Sequence, residues 1–130
     1  MSKIRVFFEA IRVVKNWWIY FADYLNLVGV RTIIYKLRNG IVFVLRTRTN
    51  DRVLFNQVWL KQTYLPAGRQ VCPLGFEIGE SDIVVDIGAH VGFFSLLAAA
   101  QTKKGKVYSF EPAPENFKMF RENIKANGIQ

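Results

Sequence analysis

Between Ile4 and Leu25 the apolar residues Ile4, Phe7, Phe8, Ile11, Val14, Trp18, Phe21 and Leu25 recur at spacings of three and four, the period of one face of an α-helix. A helix over residues 3–25 is therefore expected, with Lys3, Arg5, Arg12 and Lys15 among its remaining positions. The period then changes. Thr32 to Leu37 and Val42 to Arg46 are rich in β-branched and aromatic residues, and the Asn39-Gly40 pair between them tolerates the positive φ angles of a type I′ turn, which predicts a hairpin. A two-residue Asn39-Gly40 loop places Ile33, Tyr35, Leu37, Val42 and Val44 on one face and Lys36 and Arg38 on the other, one face buried and one partly wet. A helix from about Asp51 to Gln62, capped by Thr49 or Asn50, carries Leu54, Phe55, Val58 and Trp59. From Thr63 to Gly79 no period survives, because Pro66, Gly68, Pro73, Gly75 and Gly79 break it, and a loop or insertion is expected. This places a boundary between an N-terminal accessory segment, residues 1–80, and a second unit, residues 81–130. The second unit reads as strand Ile83 to Asp86, a glycine turn, helix Gly92 to Gln101, a Lys103-Lys104-Gly105 turn, strand Lys106 to Phe110, and a helix from Ala113 or Pro114 to Asn127 stopped by Gly128. Alternating strands and helices are the grammar of an open parallel α/β sheet.

Composition narrows what such a chain can do. Its 130 residues, 51% hydrophobic with 11 Phe, 5 Tyr and 3 Trp, fit one small domain with a real core and exclude wholesale disorder. A single cysteine, Cys72, rules out an internal disulfide, and with one histidine no thiolate or imidazole metal site of usual spacing can form. No metal is expected, and a reducing, cytoplasmic compartment is the default. The net charge of +8 is uneven: residues 1–80 carry twelve Lys and Arg against five Asp and Glu, and residues 81–130 carry six against five. Attraction to an anionic partner therefore belongs to the N-terminal part. Two readings of residues 3–25 stay open, a helix packed on its own domain and a basic amphipathic helix in peripheral contact with a membrane surface or a protein partner. The segment is too interrupted by Lys15, Asn16 and Asp23 to span a bilayer, and its continuing charges are unlike a cleavable signal. No DNA-reading or RNA-reading motif accompanies the charge, so a nucleic-acid partner is not expected.

The chemistry concentrates at Asp86-Ile87-Gly88-Ala89-His90-Val91-Gly92, directly after Ile83-Val84-Val85 and followed nineteen positions beyond Gly92 by Glu111. Gly88 lets the chain reverse out of the strand, Ala89 permits close approach, and Gly92 lets the helix start lie against strand and cofactor. In a dinucleotide-binding G-x-G-x-x-G turn, free amides at the helix start hold a pyrophosphate, but here His90 stands at the second glycine position. S-adenosyl-L-methionine has no phosphate; it carries a sulfonium and a charged amino-acid end, for which the Asp86 carboxylate is a suitable neighbour. Glu111, at the end of the next strand, is placed to accept both ribose hydroxyl protons. NAD is the weaker reading.

The run Val84 to Ser95, then Gly105 to Pro112 with its Phe110-Glu111-Pro112, then Glu115-Asn116-Phe117 and Asn123 to Gly128, resembles the FkbM family of S-adenosylmethionine-dependent methyltransferases. The resemblance covers roughly residues 82–128. It implies a class I methyltransferase fold, a Rossmann-like parallel sheet of which the first β-α-β-α portion is present here behind an N-terminal helix and hairpin. It also implies methylation of a hydroxyl on a sugar or secondary metabolite. Carried over residue by residue, Asp86, Gly88, Ala89, His90 and Gly92 form the cofactor loop, Glu111 holds the ribose and Pro112 shapes the adenine edge. His90 is expected to shape the loop, with a role as base or substrate contact as the other reading. Asn116, Asn123 and Asn127 are expected at the helix surface or caps, with an adenine contact as the other reading for Asn116. Lys103, Lys104 and Lys106 read as a solvated turn, and Cys72 as an inert thiol. The acceptor pocket and any catalytic base come later in this family's chains, so the catalytic residues are unknown and the chain is expected to be an incomplete part of an enzyme.

Overall fold

The expected long N-terminal helix is two helices, α1 (Lys3–Val13) and α2 (Trp17–Tyr24), in a computed structural model that describes residues 3–63 and 77–129. The apolar period continues through residues 14–16, but tertiary hydrogen bonds override it. Val14, fully buried, forms an antiparallel bridge to Leu37; the Lys15 amide donates to Lys36 O (2.7 Å) and the Arg38 amide to Val13 O (3.0 Å). Asn16, a residue that competes poorly for helix interiors, bonds the neighbouring strand instead: its Nδ2 donates to Ile34 O and its Oδ1 accepts from Lys36 N, both at 2.8 Å. The helix gives up a turn to pair a strand edge.

The hairpin forms as β1 (Thr32–Lys36) and β2 (Val42–Arg46), but one residue out of the expected register. Tyr35 faces Phe43 and Lys36 faces Val42; the Leu37 amide donates to Ile41 O, leaving a three-residue loop, Arg38-Asn39-Gly40, in which Gly40 takes φ +93°. A three-residue loop with glycine in the left-handed position is a standard alternative to the two-residue turn, and a one-residue slip turns every side chain of a strand to the other face. The buried set is thus Ile33, Tyr35 and Leu37 with Phe43 and Leu45, while Val42 and Val44 lie half-exposed on the opposite side.

After β2 the expected helix appears as α3 (Asp51–Phe55), continuing into a π-helical turn, Asn56–Leu60. Asn50 makes no cap; the Thr49 hydroxyl accepts from the Asp51 amide at 3.2 Å. The wider turn buries three consecutive residues, Val58, Trp59 and Leu60, and aims Trp59 Nε1 at Phe93 O, 3.2 Å away. The breaker-rich residues 64–76, with Cys72, lie outside the described residues.

From Ile83 the sequence reading holds closely: β3 (Ile83–Ile87), α4 (Phe93–Gln101), β4 (Lys106–Phe110) and α5 (Pro114–Ala126), with β3 and β4 parallel and Asp86 beside Ser109. The two units share one core. Tyr20, Tyr35, Phe43, Phe55 and Phe93 run through it with successive ring centroids 5.1 to 5.9 Å apart. Asn127 caps α5 as expected, while Asn123, expected at the surface or a cap, is wholly buried, and both pair the free edge of β2. Val44 N donates to Asn123 Oδ1 (2.7 Å) and Asn123 Nδ2 donates to Val44 O (3.2 Å) and Val91 O (2.8 Å); Val42 N and O bond the Asn127 amide at 2.9 and 2.7 Å. Four helical residues rise about 6 Å and two strand residues about 6.8 Å, so side chains at i and i+4 can imitate a neighbouring strand.

Candidate cofactor site

The turn after β3 hangs from the end of β4. Gly88 and Ala89 both donate their amides to Phe110 O (2.8 and 2.9 Å), and the Gly92 amide returns to Ala89 O (2.8 Å). The His90 amide donates to Glu111 Oε2 at 2.7 Å. These internal bonds occupy the amides of Gly88, Ala89, His90 and Gly92, the groups that a pyrophosphate would need. Four amides of the turn are thus already taken by bonds within the protein.

Glu111 gathers the site. Its Oε1 accepts from the Ala113 amide (2.9 Å) and lies 3.4 Å from Asn116 Nδ2. Burial pushes its carboxyl up, but the amides of Ala113 and His90 together with Asn116 outweigh that and hold it below the usual carboxylate range. It is ionised at neutral pH and half-buried; in the same turn, open space surrounds the position a Cβ would take at Gly88. That combination fits an adenosine ribose: an acceptor-only carboxylate at a strand's carboxyl end, next to a turn with an open glycine. Pro112 is exposed next to it.

The other expected residues divide. Gly92 takes φ +94°, and a Cβ there would lie 3.0 Å from the Phe120 ring, so glycine admits both the turn and the packing of α5. Asp86 is only 9% exposed and turns under α4, where its Oδ2 accepts from Ser95 Oγ at 2.5 Å; Ser95 Oγ lies 2.9 Å from Ser109 Oγ. Burial raises the Asp86 carboxyl above its ordinary value, opposed by the Ser95 hydroxyl and amide and reinforced by the charge of Glu111. The geometry is that of a carboxylate fastening the helix start. His90 has φ +53°, stacks on Phe93, and has its Nδ1 buried without a hydrogen-bond partner. Burial lowers its pKa, so the ring is neutral at pH 7 and forms a wall of the loop.

Residues not anticipated from the sequence tie this loop to the hairpin. Asp51, wholly buried, lies 3.7 Å from His90 Nε2 and takes both Nε (3.0 Å) and Nη2 (2.8 Å) of Arg46. Arg46 Nη2 also donates to Asn116 Oδ1 at 2.8 Å, and Asn116 reaches Glu111. Asn116 thus contacts the Glu111 carboxylate. Asp51 sits where the sequence signals a helix start, a signal that says nothing about a partner thirty-nine positions away.

Residues 73–130 match the TRM5/TYW2 methyltransferase domain. The chain is 30% identical over 88 residues, 68% of its length and 31% of the relative's, to the 31-O-demethyl-FK506 methyltransferase FkbM of Streptomyces tacrolimicus. It is 39% identical over 52 residues to an uncharacterized protein of Methanocaldococcus jannaschii, covering 40% of this chain and 19% of that one. The crystal structure of P. horikoshii TYW2 in complex with MeSAdo superposes with a TM-score of 0.43 at 24% identity, covering 87% of this chain and 43% of that chain. The chain spans less than a third of the curated relatives it matches. Its C-terminal residues carry the opening β-α-β-α of a class I methyltransferase fold, whose cofactor is S-adenosylmethionine.

Proposed function

We propose that this chain supplies the donor-side half of an S-adenosylmethionine-dependent methyltransferase that transfers the methyl group to a hydroxyl oxygen of a sugar or secondary metabolite. The observation that carries the reading is Glu111: ionised, half-buried, and held by the His90 and Ala113 amides at the end of β4. In this reading Glu111 accepts the ribose hydroxyls, Gly88 and Ala89 give the nucleoside its close approach, His90 and Pro112 bound the pocket, and Gly92 sets the start of α4. Asp86 holds that helix start through Ser95, so it positions the loop from below. Bound S-adenosylmethionine supplies a methyl group made electrophilic by its sulfonium. What these residues contribute is orientation, the holding of the donor in near-attack geometry. Kinship with a 31-O-demethyl-FK506 methyltransferase supports a hydroxyl acceptor.

A second reading takes a nucleic acid as acceptor; the TRM5/TYW2 character of the matched domain and the basic surplus of residues 1–80 favour it. Calorimetric titration with S-adenosylhomocysteine tests the donor site: saturable binding is expected, lost in Glu111→Ala, and a folded sample that does not bind overturns the proposal. Radiolabel transfer from S-adenosylmethionine to RNA or to polyhydroxylated small molecules separates the acceptors.

A further inference from the structure

A second concave site lies at the open end of the hairpin, where the chain enters β1 and leaves β2. A cavity of about 360 Å³ is lined there by Gly29, Arg31, Arg46, Thr47 and Arg48, with the flanking valines Val28 and Val30. Three arginines line one small cavity, and like charges gathered there are unfavourable unless something anionic relieves them. Arg46 is the one already neutralised, by Asp51, and its bonds run through Nε and Nη2, which leaves the two N–H donors of Nη1. Arg31 and Arg48 are exposed, and neither has an acidic partner within ion-pair distance among the described residues. The frame around them is fixed. Thr47 donates its amide to Arg31 O (2.9 Å) and its hydroxyl to Val30 O (2.6 Å), clamping the two walls together. Arg48 holds φ +57°, a conformation uncommon for a side chain of that size.

We propose that this cavity binds a doubly charged phosphoryl group of a small molecule, held by the forks of Arg31 and Arg48. Planar guanidinium forks match the oxygens of a phosphate in pairs, which a lysine cluster would not do. The cavity volume accommodates a phosphoryl group with part of the molecule that bears it. The inference is separable from methyl transfer: Arg31 and Arg48, the residues that test it, are outside the Arg46–Asp51–Asn116 chain that backs Glu111.

The test is a titration of the ¹⁵N-labelled chain with inorganic pyrophosphate at low ionic strength, against sodium chloride matched in ionic strength. Saturable shifts confined to the amides of residues 29–31 and 46–48 are expected. The double variant Arg31→Gln with Arg48→Asn, in which asparagine tolerates the left-handed backbone at 48, weakens the apparent affinity by about tenfold or more. Arg121→Gln, on the exposed side of α5, leaves it unchanged. Shifts that fail to saturate, that spread over basic residues generally, or that persist in the double variant overturn the proposal. So does a response to an RNA homopolymer with none to pyrophosphate.

Discussion

The two small sheets of this molecule are built from equally apolar strands and meet different fates. In the hairpin the inward side chains Ile33, Tyr35, Phe43 and Leu45 are at most 6% exposed, sealed by α1, α2 and the α3 region. In the parallel pair, α4 covers one face, while Ile83, Val85 and Ile87 of β3 and Tyr108 and Phe110 of β4 present the other to solvent, with Ile87 84% exposed. Parallel strands apolar on both faces are those of sheets covered on both sides. The difference teaches where the stability of the candidate site comes from. The turn after β3 is not rigid by virtue of its own sheet; it is fastened to the N-terminal unit by Asn123 to Val44 and Val91, by Trp59 to Phe93, and by Arg46 to Asn116.

The sharpest way to break this comparison is at the register. Phe43→Ala is expected to cost about 3–5 kcal/mol in denaturant unfolding, and Val44→Ala about 1 kcal/mol or less; the two-residue turn would reverse that order. Next in size, Asn123→Ala leaves the Val44 amide and carbonyl and the Val91 carbonyl without their partner and is expected to cost about 3 kcal/mol, against about 1 kcal/mol for the less buried Asn127→Ala. Equal effects would mean that the asparagine ladder is not what joins the units.

A smaller effect is set by His90. Its folded pKa lies below the unfolded one, so the unfolded chain takes up the proton first; stability is full above about pH 6.5 and declines as the pH falls through that value. His90→Asn, which accepts the positive φ, is expected to lose less stability than the wild type between pH 7.5 and 5.5, and parallel curves would remove the buried-imidazole reading. Asp86 has the opposite sign. Its raised carboxyl pKa makes the ionised form costly to bury, so the wild type gains on Asp86→Asn as the pH falls from 7 toward 4. Smallest is the bare face: Ile87→Thr is expected to change stability by no more than about 0.5 kcal/mol, and a core-sized loss would show that this face is covered in solution.

Much of the second unit was legible in the sequence, because its elements are set by local chemistry. Strand, glycine turn, helix, and strand ending in Glu111-Pro112 appear within a residue or so of their expected places. Pro114 at a helix start and Gly128 after a helix end act through their own backbone preferences. The N-terminal half was legible only in outline. Its apolar period ran unbroken through residues 14–16, and nothing local announces that Asn16 would bond a strand eighteen positions on. Likewise Asn39-Gly40 fits both a two-residue and a three-residue loop, and the choice fell to the larger side chains, Phe43 and Leu45 filling the core in place of Val42 and Val44.

By itself, then, the sequence determined the glycine turn after β3, the acid at the end of the following strand, and the order of the elements around them. These depend on residues within one β-α-β unit, where backbone conformation follows from the side chains present. Only the tertiary structure decided the hairpin register, the break in the first helix, the inward turn of Asp86, and the Arg46–Asp51–Asn116 chain that backs Glu111. Each depends on pairing polar groups far apart in sequence, and a buried donor or acceptor takes whichever partner the packing brings within reach.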